Sequence, residues 1–194
     1  MEPRIAKTQR KTKETDVMLE LNLDGVGRFD IDTGIGFLDH MLTHLSKHSK
    51  IDLVVKAKGD LEVDAHHTVE DMAICLGQCL SDSLRDKKGI ARYGHSSVPM
   101  EDSLANVALD LSGRASFVYN VDYRTDKIGD FDVECIEEML RSFSNNGRFN
   151  LHINVPYGTN SHHIAEAIFK ALGQALSQAV KIVGGDIPST KGVL

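Results

Sequence analysis

Two copies of one short motif, His-His-x-x-Glu, combine residue types that bind metal ions. The first copy is HHTVED at residues 66–71, and the second is HHIAEA at residues 162–167. In a helix, positions i and i+4 lie on the same face, and position i+1 is rotated by about 100°. The first histidine and the glutamate of each copy can therefore contact one ion together, while the second histidine must point elsewhere.

The two motifs are part of a longer internal repeat. Seven of the fifteen residues at 66–80 are identical to their counterparts at 162–176, including both histidines, the glutamate and a shared Leu-Gly-Gln. The similarity extends upstream, where FLDHMLTHLS at 37–46 aligns with CIEEMLRSFS at 135–144. We therefore predict that the chain arose by duplication and that both halves share one layout.

Hydrophobic periodicity predicts the elements of this layout. Residues 15–32 alternate with period two around a Gly-rich turn, which predicts a β-hairpin. Residues 36–49 have helical apolar spacing, and residues 50–65 predict a strand, a turn near Gly59 and a short strand. A helix then begins at the His-His-x-x-Glu motif, and the second half repeats the pattern. The polar, Gly-rich residues 184–194 predict no helix.

Length and composition indicate one ordinary globular unit. We predict a single α+β domain over residues 1–194, with repeats at approximately 1–91 and 92–194 and with helices packed on two sheets. A net charge of -6 argues against nucleic acid as a partner. No apolar run approaches the ~20 residues of a membrane span, and the start lacks the apolar segment of a signal peptide. Three cysteines without a C-x-x-C pair argue against a disulfide framework, so the cytoplasm is the expected compartment.

The duplication predicts how the motif residues share two metal ions. If the two copies meet about a pseudo-twofold axis, one ion collects the first histidine and the glutamate of each motif: His66, Glu70, His162 and Glu166. The second histidines are left for another ion, with the residues that align within the first helix of each half: His40, His67, Glu138 and His163. Imidazole and carboxylate donors without thiolate suit Mn²⁺ or Fe²⁺, and Zn²⁺ is possible. Four protein ligands leave positions of an octahedral ion open for substrate, which indicates catalysis.

Five segments of the chain resemble the imidazoleglycerol-phosphate dehydratase family. They are GIGFLDHMLTHLSKHS, DAHHTVEDMAICLG, RYGHSSVPMEDSLANVALDLSGR, GTNSHHIAEAIFKAL and PSTKGVL, and they span nearly the whole chain. The resemblance implies a Mn²⁺-dependent lyase with two Mn²⁺ ions per active site. This lyase converts imidazole glycerol phosphate to imidazole acetol phosphate and water in histidine biosynthesis. The resemblance also implies two ferredoxin-like (ribosomal S5 domain 2-like) halves and a homo-oligomer of 24 subunits.

The same resemblance implies roles for individual residues. Glu14, in KTKET, is implied as the catalytic base and as a substrate contact. The phosphate-binding positions of the family match Arg92, Arg114, Lys170, Ser189 and Lys191. Further implied substrate contacts are His40, His44, His48, His66, Glu70, His162, Glu166 and Thr190. The chain departs from the family at Glu138, where histidine is common, and at His44, where glutamine is usual.

Two other function classes stay open at this point. One is a different metal-dependent lyase or hydrolase that acts on a small phosphate ester. The other is a metal-storage shell without catalysis, which the open coordination positions and the cations for phosphate disfavour. A metalloprotease is disfavoured because the glutamate of H-E-x-x-H lies between the two histidines, and here it follows them.

Overall fold

The structure, a computed structural model, describes residues 3–194 and divides into two halves with the same order of elements. The first half contains β1 (Ile5–Lys11), β2 (Thr15–Asn22), β3 (Phe29–Asp32), α1 (Gly36–Ser49), β4 (Asp52–Gly59) and α2 (His66–Leu84). The second half contains β5 (Tyr93–Met100), β6 (Ser103–Asp110), β7 (Ser116–Asn120), β8 (Lys127–Ile128), β9 (Phe131–Asp132), α3 (Glu134–Gly147), β10 (Asn150–Tyr157) and α4 (Ser161–Ala179). Only the small β8–β9 ribbon has no counterpart in the first half.

Both halves form a four-stranded sheet with the same topology. The strand order is β1-β2-β4-β3 in the first sheet and β5-β6-β10-β7 in the second. In each sheet the last pair of the order is parallel and the other two pairs are antiparallel. The expected α+β fold with two similar halves is therefore confirmed. The expected repeat boundary at residue 91 falls between α2 and β5, and it stays a prediction.

The helices lie between the two sheets and form the core. One face of β2 buries Val17, Leu19 and Leu21 under α2, and the alternation of these apolar residues with polar ones is typical of a sheet covered on one side. In the second half, α4 covers β5 and β6 in the same way. The helices of the two halves also pack on each other, α1 against α4 and α2 against α3. Each long helix therefore contacts both its own sheet and a helix of the other half.

A glycine in the shared Leu-Gly-Gln allows each of these helix pairs to approach closely. A Cβ atom on Gly173 of α4 would lie 2.9 Å from the His48 Cβ atom and 3.0 Å from the Leu45 carbonyl oxygen of α1. Its repeat counterpart, Gly77 of α2, faces α3, where a Cβ atom would lie 2.6 Å from the Gly147 nitrogen. Such distances are too short for any side chain, so the repeated glycine sets the spacing of both helix pairs.

Two of the sequence predictions for the first half are wrong. Residues 15–32 do not form a hairpin, because β4 lies between β2 and β3 and pairs with both. The alternating pattern identified the strands, but period-two alternation does not specify which strand becomes the neighbour. The short strand expected after Gly59 is also absent, because residues 60–65 form the tight connection that leads into α2.

Other features of the ends and of the cysteines follow the sequence. Residues 185–194 contain no helix, as expected, whereas the edge strand β1 was not predicted from its polar sequence. The thiols of Cys75, Cys79 and Cys135 are free and buried, and burial raises their pKa values to about 11, 12 and 11. Between residues 3 and 194, no helix carries an apolar stretch that would reach across a bilayer.

Substitution of Gly173 by alanine should destabilise the protein. The new Cβ atom would push α1 away from α4, and overpacking of this kind typically costs about 1–3 kcal/mol. Urea unfolding of the variant and the original protein would measure the difference. Gly36→Ala is the matched control, because a Cβ atom at Gly36 meets nothing within 4 Å. Equal stability of the two variants would contradict the role given to the helix crossing.

Candidate metal centre

The packing of α1 against α4 brings three possible metal ligands together. The Nε2 atom of His40 lies 2.9 Å from Oε1 of Glu166, and Nε2 of His162 lies 3.1 Å from the same oxygen. Their ligand atoms all lie within 4.8 Å of one another, and no other such group of three occurs between residues 3 and 194. We call these three residues the α1–α4 cluster.

Local sequence explains how the second motif enters α4 with its side chains in register. Asn160 precedes the helix, and its side-chain oxygen accepts hydrogen bonds from the backbone nitrogens of His162 and His163. In the first motif, Asp64 accepts a hydrogen bond of 2.7 Å from the backbone nitrogen of His66. Asn and Asp are preferred at such positions because they satisfy free N–H groups of the first turn. Both motifs therefore begin helices, as expected.

The glutamate of the α1–α4 cluster is ionised at neutral pH. Burial of Glu166 opposes ionisation, but hydrogen bonds from Lys170 and His40 outweigh this effect and lower the pKa of the carboxyl to about 2. The Nζ atom of Lys170 lies 2.6 Å from Oε2, one turn further along α4. A buried carboxylate that one side chain cation and two imidazoles surround is suited to hold a divalent cation.

The donor set and its exposure fit such an ion. Two imidazole nitrogens and one carboxylate oxygen converge, and the mixture without thiolate is the one that Mn²⁺, Fe²⁺ and Zn²⁺ accept. The His40 and His162 side chains are 43% and 41% exposed, so the open side of the cluster faces solvent. A bound ion would therefore keep positions for further ligands or substrate.

Two further histidines of α1 extend from this cluster, one helical turn apart. His44 Nε2 lies 3.3 Å from His40 Nε2 and 3.5 Å from the Glu166 carboxylate. The ring of His48 stacks on that of His44 with centroids 6.0 Å apart. Burial is the main cause that lowers the pKa of both His44 and His48, which keeps these rings neutral at pH 7. Only His44 of this pair contacts the cluster directly.

The corresponding residues of the other helix pair do not form a cluster within the chain. By the repeat alignment, these counterparts are Glu138 on α3 and His66 and Glu70 on α2. Glu138 accepts a hydrogen bond of 3.0 Å from Ser142, which is the counterpart of His44. The ring of His66 stands perpendicular to that of His67, so the two histidines of the motif point in different directions, as the helical geometry predicts.

The structure groups the ligands differently from the sequence prediction. That prediction placed Glu166 with Glu70 at one ion and His40 at the other, because it assumed that the two motif helices meet. Instead, α4 packs on α1 and α2 packs on α3, so His40 lies with Glu166 and His162. The sequence identified the residue types, but it did not show which helices become neighbours.

The second histidine of each motif is held by a carboxylate that the sequence prediction missed. Nδ1 of His67 lies 3.0 Å from Asp60, and Nδ1 of His163 lies 2.5 Å from Asp102. The hydrogen bond to Asp60 is the main cause that raises the pKa of His67, and the bonds to Asp102 hold the pKa of that carboxyl well below its usual range. Glu14 is exposed on the turn before β2, with its carboxylate 4.0 Å from His67 Nδ1.

Most of the expected phosphate-binding residues lie at the opposite end of α4 from the α1–α4 cluster. The backbone nitrogen of Arg92 bonds to the carbonyl of Ala179, at the last residue of α4. The helix from His162 to Ala179 spans roughly 25 Å at 1.5 Å per residue. Of the expected phosphate cations, only Lys170 lies beside the cluster.

Arg92 itself is held by acidic and backbone groups. Its guanidinium makes two hydrogen bonds, of 2.7 and 3.0 Å, to Asp110, and it donates to the carbonyl of Pro188 at 2.8 Å. The last bond places the segment with Ser189, Thr190 and Lys191 next to this strand end. Arg114 follows β6 in the same region, where it and Arg92 add to the burial that lowers the pKa of Lys87.

Comparison with known proteins identifies the family. The profile of the family described as Imidazoleglycerol-phosphate dehydratase matches residues 33–176. Proteins named imidazoleglycerol-phosphate dehydratase are 54% identical in an Exiguobacterium species, over 97% of both chains, and 53% identical in Ruegeria pomeroyi, over 98% of this chain and all of that one.

Solved structures give the same answer at the level of the fold. The crystal structure of imidazoleglycerol-phosphate dehydratase from Staphylococcus aureus is 38% identical, with a TM-score of 0.85 over 92% of this chain and 99% of that chain. The enzyme from Pyrococcus furiosus, crystallised in complex with (S)-C348, is 35% identical, with a TM-score of 0.83 over 96% and 100% of the two chains. With the α1–α4 cluster lying inside the matched region, the chain belongs to the imidazoleglycerol-phosphate dehydratase family of hydro-lyases.

Proposed function

We propose that the protein removes water from imidazole glycerol phosphate, giving imidazole acetol phosphate in histidine biosynthesis, with two Mn²⁺ ions per active site. The observation that carries this proposal is the α1–α4 cluster, which joins two imidazoles and an ionised carboxylate in a chain of this family. Buried thiols and the absence of a disulfide agree with a reducing compartment, so we place the enzyme in the cytoplasm.

The helix packing supports a new assignment of ligands to the two ions. One ion takes the three residues of the α1–α4 cluster. The second ion takes their repeat counterparts His66, Glu70 and Glu138, because α2 packs on α3 as α4 packs on α1. His67 and His163 point away from these sets and are held by carboxylates, which suits a role as ligands to ions of neighbouring chains.

The chemistry needs a base and a way to activate the imidazole. The ions, when bound, supply Lewis-acid chemistry that draws charge from the nitrogens of the substrate ring. The reaction breaks the bond from the carbon next to the ring to its hydroxyl and a carbon–hydrogen bond on the next carbon, and the resulting enol becomes the ketone. Glu14 takes that proton. Its exposed carboxylate lies beside His67 and accepts a hydrogen bond only from the hydroxyl and backbone groups of its own turn, if any, so it is accessible to substrate.

The distance between the metal ligands and the phosphate cations supports an active site shared between chains. Arg92 and the α1–α4 cluster lie at opposite ends of α4, roughly 25 Å apart, which is longer than imidazole glycerol phosphate. A neighbouring chain must therefore bring its Arg92, Arg114 and terminal segment to the ions. Arginine suits this role because its planar guanidinium pairs with two phosphate oxygens at once. The assembly of 24 subunits remains a prediction from the family resemblance.

Chelation should abolish both the activity and the full assembly. Protein treated with EDTA should form no imidazole acetol phosphate, and Mn²⁺ should restore the reaction. Light scattering on the same samples should show a smaller particle after EDTA and the original particle after Mn²⁺, because ions shared between chains link them. Dehydration that proceeds at full rate without metal would refute the proposed function, and a particle of constant mass would refute shared ions alone.

Glu166→Gln and Glu70→Gln should each remove a different ion. The two glutamates belong to different helix pairs, so each variant should retain about one Mn²⁺ per active site and the double variant none. Metal analysis of the purified variants measures this. Glu137→Gln is the control, because Glu137 pairs with Arg141 on the exposed side of α3, next to Glu138. A double variant that retains as much metal as each single variant would show that both glutamates bind the same ion.

Glu14→Gln should lower the rate without loss of metal. A base that acts only in the transition state contributes equally to kcat and kcat/KM, and its removal typically costs about 10²–10⁴-fold. Arg114→Gln should instead raise KM more than it lowers kcat, because it removes a phosphate contact. Steady-state kinetics with metal analysis separates the two effects. A Glu14→Gln enzyme with two ions and near-normal kcat would exclude Glu14 as the base.

A further inference from the structure

The second histidine of each motif has its Nδ1 atom on a carboxylate. Asp60 lies 3.0 Å from Nδ1 of His67, and Asp102 lies 2.5 Å from Nδ1 of His163. An ionised carboxylate only accepts hydrogen bonds, so the proton of each neutral imidazole must be on Nδ1. The lone pair is then on Nε2, and the carboxylate also fixes the plane of the ring.

The two carboxylates come from different places in the repeat. Asp60 directly follows the strand residue Gly59, whereas Asp102 lies on the hairpin turn directly before β6. The counterpart of Asp102 in the first half is Glu14, which lies directly before β2. In the second half, the segment Pro-Tyr-Gly-Thr-Asn at 156–160 contains no acidic residue, so it provides no counterpart of Asp60.

This exchange changes what the turn carboxylate of each half can do. In the second half, Asp102 contacts His163, Thr159 and Asn160, so all its capacity is used within the protein. In the first half, Asp60 holds His67 instead, and Glu14 remains 4.0 Å away on an exposed turn. The duplicated position is therefore structural in one copy and accessible in the other.

We propose that Asp60 and Asp102 are positioning residues that fix His67 and His163 with Nε2 free to bind metal, and that Asp60 thereby leaves Glu14 free for the substrate. This inference rests on the proposed function, in which both histidines are metal ligands. Partners of this kind orient metal-bound histidines in many proteins, and their loss typically weakens metal binding by about 10–100-fold.

The test compares Mn²⁺ binding in the full-length Asp60→Asn and Asp102→Asn proteins. An asparagine amide can donate to Nδ1 and so stabilise the wrong tautomer. Titration of the metal-free proteins should therefore show dissociation constants about 10–100-fold higher than in the original protein. Asp102→Glu should recover most of the affinity, because a glutamate at the equivalent turn position, Glu14, already reaches within 4.0 Å of its histidine.

A purely structural role of Asp102 requires a separate control. Asp102 also accepts hydrogen bonds of 2.6 Å from the Thr159 backbone nitrogen and 2.7 Å from the Thr159 hydroxyl. Thr159→Val removes the hydroxyl bond and leaves the carboxylate on His163. If Asp102 acts through the histidine, Thr159→Val should bind Mn²⁺ within about twofold of the original protein, even where its melting temperature falls as far as that of Asp102→Asn.

The role of Asp60 has a kinetic readout of its own. At saturating Mn²⁺, Asp60→Asn should lower kcat more than Asp102→Asn does, because Glu14 can then turn to His67. Unchanged Mn²⁺ affinity in both asparagine variants, or an equal loss in Thr159→Val, would overturn the inference. Failure of the original protein to bind Mn²⁺ or to dehydrate the substrate would instead reject the proposed function, so the two failures are distinguishable.

Discussion

The close crossing of helices from the two halves is the constraint on which the rest of the structure depends. At Gly173, α4 approaches the backbone of α1 so closely that no Cβ atom fits, and at Gly77 the same contact joins α2 to α3. These crossings fix the rotation of each helix against its neighbour. Because His40 lies on α1 and Glu166 on α4, the distance of 2.9 Å between their side chains follows from this packing. The core and the candidate site are therefore held by one contact.

Much of the chemistry was readable from the sequence, whereas the pairing of elements was not. Helical spacing showed that the first histidine and the glutamate of each motif share a face, and His162 and Glu166 do lie 3.1 Å apart. The hairpin expected at residues 15–32 was wrong because alternation identifies strands but not their neighbours. The grouping of ligands failed for the same reason, since the choice of partner helix depends on packing over the whole chain. Asp60 was missed because a lone acidic residue in a loop carries no spacing signal.

Duplication gave the two halves the same scaffold and then allowed their sites to diverge. His44 beside the α1–α4 cluster has Ser142 as its counterpart, and Lys170 has Ile74. The second-half ion site is therefore surrounded by ionisable groups that the first-half site lacks. Lys170 also lies 2.6 Å from Glu166, where it balances the buried carboxylate. We infer that the two proposed ions have different surroundings and are not interchangeable, although the backbones that hold them are alike.

The separation of Arg92 from the metal ligands along α4 has a genetic consequence. With the phosphate cations and the ions roughly one helix length apart, every active site draws on at least two polypeptides. Damage to the cations and damage to the ligands are then defects of different contributors. A cell that expresses one chain of each kind would assemble some sites from the two intact portions. Recessive alleles at opposite ends of this helix would thus complement each other, whereas two alleles at the same end would not.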